Sequence, residues 1–411
     1  MKVLHIFTGS INGGAARGAF WLHKGLLAHG VESRILNNSF DKYEDPDIAT
    51  FLTNKKSIFF NTLHKTIDEF PLRYYPQKKD YLFSTAMSGF DITKHPFYAW
   101  SDIIHLHWIN GGFIDIKDLK KINKPIVWTI RDMWPITGGC HYTISCKRHE
   151  SGCGCCPHLN SNKENDLSRK IINRKEKYIP KNTVLVGISP WITEIARNSY
   201  LYRNFDVRMI FNNVDTDIFF PIGKKNAREV LDIKTDKKII AVGAQYIKDH
   251  FKGFQKFLKA LEYLDKEKYF ILFFGRLSKE IEELISFEYK YIGFLNDDIS
   301  IRTMYSCADV YVTTSLIESF GKTIVESMCC GTPVVCFDVT GQKSIVEHKI
   351  TGYKAEPYDE RDLADGIDWI VDNPSYAKLS QQAREKAVQN FNINEIAGEY
   401  KKLYQEILKD E

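Results

Sequence analysis

Apolar strands alternate with amphipathic helices along the whole chain, and that alternation predicts an α/β protein built from doubly wound parallel sheets. Two further observations predict two such domains. The 411 residues exceed the roughly 250–300 at which one core stops growing. Midway, the run Met209-Ile-Phe-Asn-Asn-Val-Asp-Thr-Asp-Ile-Phe-Phe-Pro221 passes from a strand into a polar, proline-ended stretch, the signature of an interdomain connection.

The N-terminal half supplies predicted strands at 2–7, 102–106, 125–130 and 183–188, with a further strand ending at Leu36 and Asn37. The C-terminal half supplies 238–242, 269–274, 290–295, 309–315 and 333–338. Their near-continuous apolar runs suit parallel strands covered on both faces. Residues 39–100 show little periodicity but many aromatic and basic residues, so this insertion is either a surface facing an acceptor or a membrane, or irregular packing. A last amphipathic helix near 393–408 has either domain as its docking surface. The expected division is therefore 1–220, 221–391, and a final helical segment 392–411 that packs back on the N-terminal domain as one option.

A composition of 44% hydrophobic and 13% aromatic residues is that of an ordinary globular protein. No apolar run approaches the roughly 18–20 residues needed to span a bilayer, and Met1 leads straight into a strand rather than into a signal peptide. A cytoplasmic location is expected. The net charge of +4 conceals an asymmetry: residues 1–200 hold 27 Lys and Arg against 18 Asp and Glu, and residues 201–411 hold 29 against 34. A basic N-terminal half suits an acidic substrate or the inner face of a membrane as a peripheral contact. Nucleic acid fits poorly, because the charge is modest and no basic-aromatic module is present.

The most informative segment is Leu316-Ile-Glu-Ser-Phe-Gly-Lys-Thr-Ile-Val-Glu-Ser-Met-Cys-Cys-Gly331, with Glu318 and Glu326 separated by seven residues. It follows the strand at 309–315, and Ile324, Val325 and Met328 mark the buried stripe of a short helix. Glu318 is then expected in a strand-to-helix loop, Gly321 at the helix start, and Glu326 about two turns deeper. Free N–H groups and the positive end of the helix dipole at Gly321 favour an anionic or hydroxyl-rich ligand. Carboxylates accept strong hydrogen bonds from paired sugar hydroxyls. Two of them beside a helix N-terminus describe a nucleotide-sugar site, against the blander reading of solvated glutamates on an amphipathic helix.

After the first strand, Thr8-Gly-Ser-Ile-Asn-Gly-Gly-Ala-Ala-Arg-Gly18 forms a glycine-rich turn into a helix, able to cradle a diphosphate on its amides. It lacks the G-x-G-x-x-G spacing, and no acidic residue ends the second strand, so a dinucleotide enzyme is not expected. Ala241-Val-Gly-Ala-Gln-Tyr-Ile-Lys-Asp-His-Phe-Lys-Gly253 ends a strand and places Lys252 where its ammonium can neutralise phosphate. In His105-Leu-His-Trp108 the expected split is a satisfied core His105 and a ligand-facing His107.

Together these pieces resemble the retaining glycosyltransferases of family 4, the group-1 class with the two-Rossmann GT-B fold. The likeness covers essentially the whole chain. It rests on Gly13-Gly14, the Phe-Asn-Asn-Val-Asp-Thr-Asp connector, Phe251-Lys-Gly253, and the Glu318 to Glu326 run followed by Gly331-Thr-Pro333. The resemblance implies two Rossmann-like domains facing a central cleft, with an N-terminal acceptor domain and a C-terminal domain for the nucleoside-diphosphate sugar. It implies that Glu318 contacts the transferred sugar near the reacting centre and Glu326 the ribose. Gly13, Gly14 and Lys252 would face the diphosphate, and the amides near Phe320, Gly321 and Lys322 the sugar and phosphate. Retaining enzymes of this kind react on one face of the sugar, with charge on the leaving diphosphate stabilised by cations and amides. No enzymic nucleophile and no catalytic metal are expected.

The chain departs from that pattern in three places. In Thr129-Ile-Arg-Asp-Met-Trp134, Arg131 stands where relatives commonly have His near the donor sugar; it can bind phosphate but cannot act as a base at neutral pH. The arginine that usually accompanies the phosphate-binding lysine is replaced, leaving Ala244 and Gln245. Near Ser344, many relatives carry an acidic residue.

Nine cysteines without an export signal argue for reduced thiols or metal ligands rather than disulfides. Five crowd into the loop at 138–158, where Cys140, Cys146, Cys153 and Cys156 give C-x5-C-x6-C-x2-C with Cys155 left over. Four thiolates can enclose a tetrahedral zinc; unligated thiols and a redox or iron–sulfur role are the alternatives. Similar Thr-Gly-Gly-Cys-His-Tyr loops occur in family-4 enzymes resembling those of exopolysaccharide and O-antigen assembly.

The sequence therefore predicts a retaining hexosyltransferase acting from a nucleoside-diphosphate sugar onto a glycan, in particular a lipid-linked precursor of a surface polysaccharide. Its catalytic candidates are Glu318, His107 and Arg131, and it carries a structural zinc as the one metal candidate. The rival readings are a catalytically silent scaffold of the same fold and a nucleotide-sugar epimerase or hydrolase.

Overall fold

A computed structural model describes residues 1–244, 246, 248–276 and 279–409. They form two compact units, Met1–Phe211 with Ile396–Glu411, and Asn212–Glu395. Each is a parallel sheet flanked by helices, of seven and six strands respectively, as the alternating pattern predicts.

In the first unit β1 (Lys2–Phe7), β2 (Glu32–Asn37), β3 (Ile48–Thr50), β4 (Ile103–Leu106), β5 (Ile126–Ile130), β6 (Val184–Gly187) and β7 (Val207–Met209) run in the order β3-β2-β1-β4-β5-β6-β7. Every pairing is parallel. The order reverses at β1 and β4, and in open parallel sheets ligands bind past the carboxyl ends of the strands at such a switch. The first helix, α1 (Gly14–Ala28), buries Ala16, Ala19, Leu22 and Leu26 at helical spacing.

The final helix, Ile393–Ile407, supplies this unit with Ile396, Ala397, Tyr400, Leu403 and Tyr404, which pack on Val3, Leu22, Leu26, Ile103, Val127 and Val184. Each large apolar side chain so buried is worth about 1.5–3 kcal/mol. Two ring hydroxyls add hydrogen bonds, Tyr404 to His105 Nδ1 at 2.7 Å and Tyr400 to Thr129 Oγ1 at 2.8 Å.

The second unit has β8 (Lys238–Ala244), β9 (Tyr269–Gly275), β10 (Tyr289–Tyr291), β11 (Val310–Thr313), β12 (Val334–Phe337) and β13 (Gly352–Ala355) in the order β10-β9-β8-β11-β12-β13. Here too all pairings are parallel, with the switch at β8 and β11. Its core gathers Ile240, Val242, Phe254, Phe257, Phe273, Val312 and Val335.

The division falls at 211/212 rather than 220. The reason is local. Val214 exchanges backbone hydrogen bonds with Phe391 and Ile393, and the Arg302 guanidinium donates to the Ile218 carbonyl at 3.2 Å, so the polar connector is already part of the second unit. The strand expected at 290–295 is shorter, and β3, β7 and β13 have only three or four residues each, too few to display a period.

The 39–100 insertion contains one long helix, α2 (Lys55–Glu69), whose N-cap Asn54 closes a capping box with Ser57. Its buried residues are Asn61 and Asp68, whereas Ile58, Phe59, Phe60, Leu63 and Ile67 are exposed. Among the described residues no helix is long and apolar enough to cross a membrane.

Candidate functional site

The carboxyl edge of the second sheet gathers three loops. From β8 the chain reaches a short 3-10 turn, His250–Lys252, and then the helix Phe254–Ala260. Gly253 between them sits at φ +59°, and a Cβ there would lie 2.2 Å from the Thr314 carbonyl, so only glycine permits the approach. That approach is held by Leu316 N–H donating to Phe251 at 2.8 Å and by Thr314 Oγ1 donating to the Lys252 carbonyl at 3.0 Å.

The loop from β11 carries Glu318 into this edge. Its carboxylate accepts from Lys252 Nζ at 2.5 Å and from Ser315 Oγ at 3.0 Å. Burial lowers the Lys252 pKa, but the Glu318 carboxylate outweighs it and leaves the ammonium above its ordinary value. The loop from β12 completes the support: Thr340 Oγ1 accepts from Glu318 N–H at 3.0 Å, and Gly341 N–H donates to the Glu318 carbonyl at 2.8 Å. Gln342, fully buried, donates to the carbonyls of Ser315 and Phe337 at 3.1 Å each.

Gly321, at φ +109°, is the N-cap of the helix Lys322–Cys329 and makes no side-chain cap bond. Its first turn lies at the same edge, with the first amides of the helix left without a side-chain cap. Glu326 is buried and lies four residues, about one turn, past Lys322 rather than two; the Lys322 ammonium is 3.7 Å away. Phe320 is buried against Phe391.

Sequence reasoning missed Ser315, Thr340 and Gln342, whose roles depend on loops remote in sequence. It also missed Arg276. This residue follows β9, whose last residue, Gly275, pairs with Ala244 of β8, and its guanidinium stacks 4.8 Å from Tyr246 and 5.5 Å from Phe294. A cation therefore stands one strand away from the position where the family's arginine is missing. Gln245 itself lies outside the described residues.

In the first unit Gly13 is the N-cap of α1, again without a side-chain cap, and Gly9 N–H donates to Asn38 Oδ1 at 2.9 Å. A methyl added at Gly14 meets nothing within 4 Å, so this turn is open above the helix N-terminus.

His107 follows β4 and is buried, with Nε2 3.0 Å from His5 Nδ1 and Nδ1 3.4 Å from Arg131 Nη2. His105 is bonded at both nitrogens, to Tyr404 and to Thr129 Oγ1 at 2.7 Å each. Among the described residues these three imidazoles are the metal-capable set with donor atoms within 4.8 Å of one another. The neighbouring Arg131 charge and the occupied His105 nitrogens make them a hydrogen-bond network instead. Burial and then the neighbouring cationic groups hold His107 well below the usual histidine range, and burial lowers Arg131 to about 10. His107 thus faces inward.

Asp132, next to Arg131, accepts from Trp108 Nε1 at 2.8 Å and pairs with His141 Nδ1 at 2.6 Å. His141 Nε2 lies 2.9 Å from Ser84 Oγ. This clamp ties the Arg131 loop to the cysteine loop. Cys140, Cys146, Cys153 and Cys156 line one small cavity there.

Residues 223–388 match the family model described as glycosyl transferases group 1. The match lies within the second unit, which resembles that family. Among curated relatives, the chain is 24% identical over 219 residues to the N-acetyl-alpha-D-glucosaminyl L-malate synthase of Bacillus anthracis, covering 51% of this chain and 56% of that protein. It is 26% identical over 225 residues to the N,N'-diacetylbacillosaminyl-diphospho-undecaprenol alpha-1,3-N-acetylgalactosaminyltransferase of Campylobacter jejuni, covering 53% and 58%. These matches span little more than half the length of the relatives. Among solved structures, Anabaena HepE in complex with UDP-glucose superposes with a TM-score of 0.65 at 16% identity, covering 99% of this chain and 100% of that one. At that identity the likeness is one of fold, and that fold is GT-B, with two Rossmann-like domains.

Proposed function

We propose that this chain is a group 1 glycosyltransferase, a retaining hexosyltransferase that takes its sugar from a nucleoside diphosphate and delivers it to a lipid-linked glycan. The observation that carries this reading is the Lys252–Glu318 pair, 2.5 Å apart beside the uncapped helix start at Gly321. An ammonium and free amides suit a diphosphate, and the carboxylate suits sugar hydroxyls. Donor binding would exchange partners: Lys252 turns to phosphate, and Glu318 is released to the sugar.

As the C1–O bond breaks, charge grows on the leaving diphosphate. Lys252, the amides at 321–322 and Arg276 would stabilise it, one such donor being worth about 3–4 kcal/mol. Glu326 would hold the ribose hydroxyls. The departing phosphate accepts the acceptor's proton on the same face of the sugar, which accounts for retention without an enzymic nucleophile.

A lipid-linked acceptor is supported by the Campylobacter relative, an N-acetylgalactosaminyltransferase named for a diphospho-undecaprenol-linked sugar, and by α2, which turns Phe59 and Phe60 outward next to Lys55 and Lys56. A UDP-sugar donor is supported by the HepE complex. The test is a thermal-shift and calorimetric screen against UDP-, GDP-, ADP- and dTDP-sugars. Saturable stabilisation by one donor that is lost in Glu326→Ala is the expected outcome; no response to any donor would favour a silent scaffold, and turnover without acceptor an epimerase or hydrolase.

A further inference from the structure

We propose that Cys140, Cys146, Cys153 and Cys156 form a tetrathiolate zinc site in the first unit, with Lys175 as its buried countercharge. The inference is independent of the donor reading. It begins with which cysteines face one another. Cys140, Cys146, Cys153 and Cys156 all line one small enclosed cavity. Cys155 instead turns outward, its thiol 3.4 Å from both the Asn162 carbonyl and the Glu164 carboxylate. The residue left over by the spacing is thus the one excluded by the geometry.

The four thiols line a cavity of about 10 Å³, the scale of one water or ion. The backbone around it is shaped for sulfur ligands. Gly138 N–H donates to Cys153 Sγ at 3.2 Å, and Leu159 N–H closes a turn on the Cys156 carbonyl at 3.2 Å. The bond to sulfur stabilises a thiolate and does little for a neutral thiol. Gly152 (φ +88°), Cys153 (φ +61°), Gly154 (φ +91°) and Cys155 (φ +42°) all adopt left-handed backbone. For the two cysteines this costs about 1–3 kcal/mol each unless something over-determines it.

A second observation points to a ligand. His149 and His158 line the same cavity, are 7% and 8% exposed, and each keeps a buried Nδ1 without a hydrogen-bond partner. A purely apolar cluster of thiols gives no reason for two such rings. Lys175 gives a third. It is fully buried on the helix Leu167–Tyr178, donates to the carbonyls of Thr137 at 2.8 Å and of Trp134, and lies 3.6 Å over the Trp134 ring. Its bond to the carbonyl of Thr137, three residues before Cys140, holds it beside the cysteine loop. Zinc displaces four thiol protons, leaving a tetrathiolate complex of net charge −2 with four protons released to solvent. A buried ammonium offsets part of that charge.

The four sulfurs do not all lie within 4.8 Å of one another; binding would draw them to about 3.8 Å, the edge of a tetrahedron with bonds of about 2.3 Å. Asp166 would hold the loop in place: it accepts from Cys156 N–H at 2.7 Å and caps the Lys175 helix. Through Cys140 and the His141–Asp132 pair, the site would steady the Arg131 loop.

The experiment is metal analysis of the purified full chain, followed by replacement with cobalt(II). The expected result is one zinc per chain, released when a mercurial titrates the thiols. The cobalt form should show tetrahedral ligand-field bands with strong thiolate charge transfer. Cys153→Ser should abolish that spectrum and Cys155→Ser should keep it. Lys175→Met should weaken zinc by about ten- to a hundredfold, the usual range for a supporting residue. A native chain in which every thiol reacts freely and no cobalt spectrum develops would overturn the site. So would a cobalt spectrum without charge transfer, since that would place the metal on the imidazoles of His5, His105 and His107. Should Cys153→Ser fail to fold, the mercurial titration and cobalt spectrum of the unaltered chain decide.

Discussion

Lys252 and Glu318 in one unit, and His107 and Arg131 in the other, stand just past the carboxyl ends of central parallel strands, yet they are built in opposite ways. The Lys252 and Glu318 side chains are 35% and 18% exposed and satisfy each other as an ion pair that a ligand can break. His107 and Arg131 are 2% and 9% exposed and are locked to neighbours inside the sheet's helical cover. The first pair keeps its charge available, at little cost to folding. The second gives up availability, and its polar groups serve the fold. Equivalent positions in two similar sheets therefore need not serve the same chemistry.

The sharpest way to break this contrast is to remove one side of it. Lys252→Ala should lower kcat by about 10²–10³, the loss expected for one transition-state donor. Folding stability should move by no more than about 1 kcal/mol, as for a partly exposed ion pair. Glu326→Ala should raise KM for the donor more than it lowers kcat. Steady-state kinetics and denaturant unfolding measure both; equal small effects on kcat and KM from the two variants would remove Lys252 and Glu326 from their roles.

The histidines sharpen the other side. Burial, followed by the neighbouring cationic groups, holds His5, His105 and His107 well below the ordinary imidazole value. Below about pH 6.5 the unfolded chain binds protons that the folded core refuses, so stability rises with pH through this window and falls as the pH drops. Each such histidine contributes a slope of up to about 1.4 kcal/mol per pH unit. Thermal unfolding from pH 7.5 to 5 should show a steep loss of Tm. In His107→Asn the slope should ease by about one histidine's share, whereas a flat profile in the unaltered chain would mean that these imidazoles are accessible and titrate normally.

The same contrast explains what could be read from the sequence. Glu318, Gly321 and Glu326 fall within one strand-loop-helix segment, where periodicity and spacing are visible locally, and the fold class followed from alternation repeated along the chain. Lys252 was legible from its place after a predicted strand and from the Phe251-Lys-Gly253 run. By contrast, Thr340, Gln342 and Arg276 act through loops that only the sheet order brings together. The inward turn of His107 depends on His5 and Arg131, 102 and 24 residues away in sequence. The boundary was misplaced because a polar, proline-ended run resembles a linker even when Val214 and Ile218 bind it to one unit.

Helix α2 gives the smallest expected effect on folding and the clearest separation of surface from core. A helix that folds against a protein body normally buries its apolar stripe; this one buries Asn61 and Asp68 and exposes Phe59 at 64% and Phe60 at 38%. Asp68 is spent on local structure, accepting from Thr85 Oγ1 at 2.7 Å and from Met87 N–H at 2.9 Å. Phe59 and Leu63 lie one turn apart, and Ile67 one turn further, so they share a face. With Lys55 and Lys56 alongside, that face matches an anionic bilayer surface. Phe59→Ser with Leu63→Ser should change folding stability by less than about 0.5 kcal/mol while reducing sedimentation with phosphatidylglycerol vesicles at least tenfold. Neutral phosphatidylcholine vesicles should bind the unaltered protein weakly. If the double variant unfolds instead, α2 is part of the core and its exposed face is not a membrane contact; if it folds and still sediments, the basic surface alone supplies the attraction.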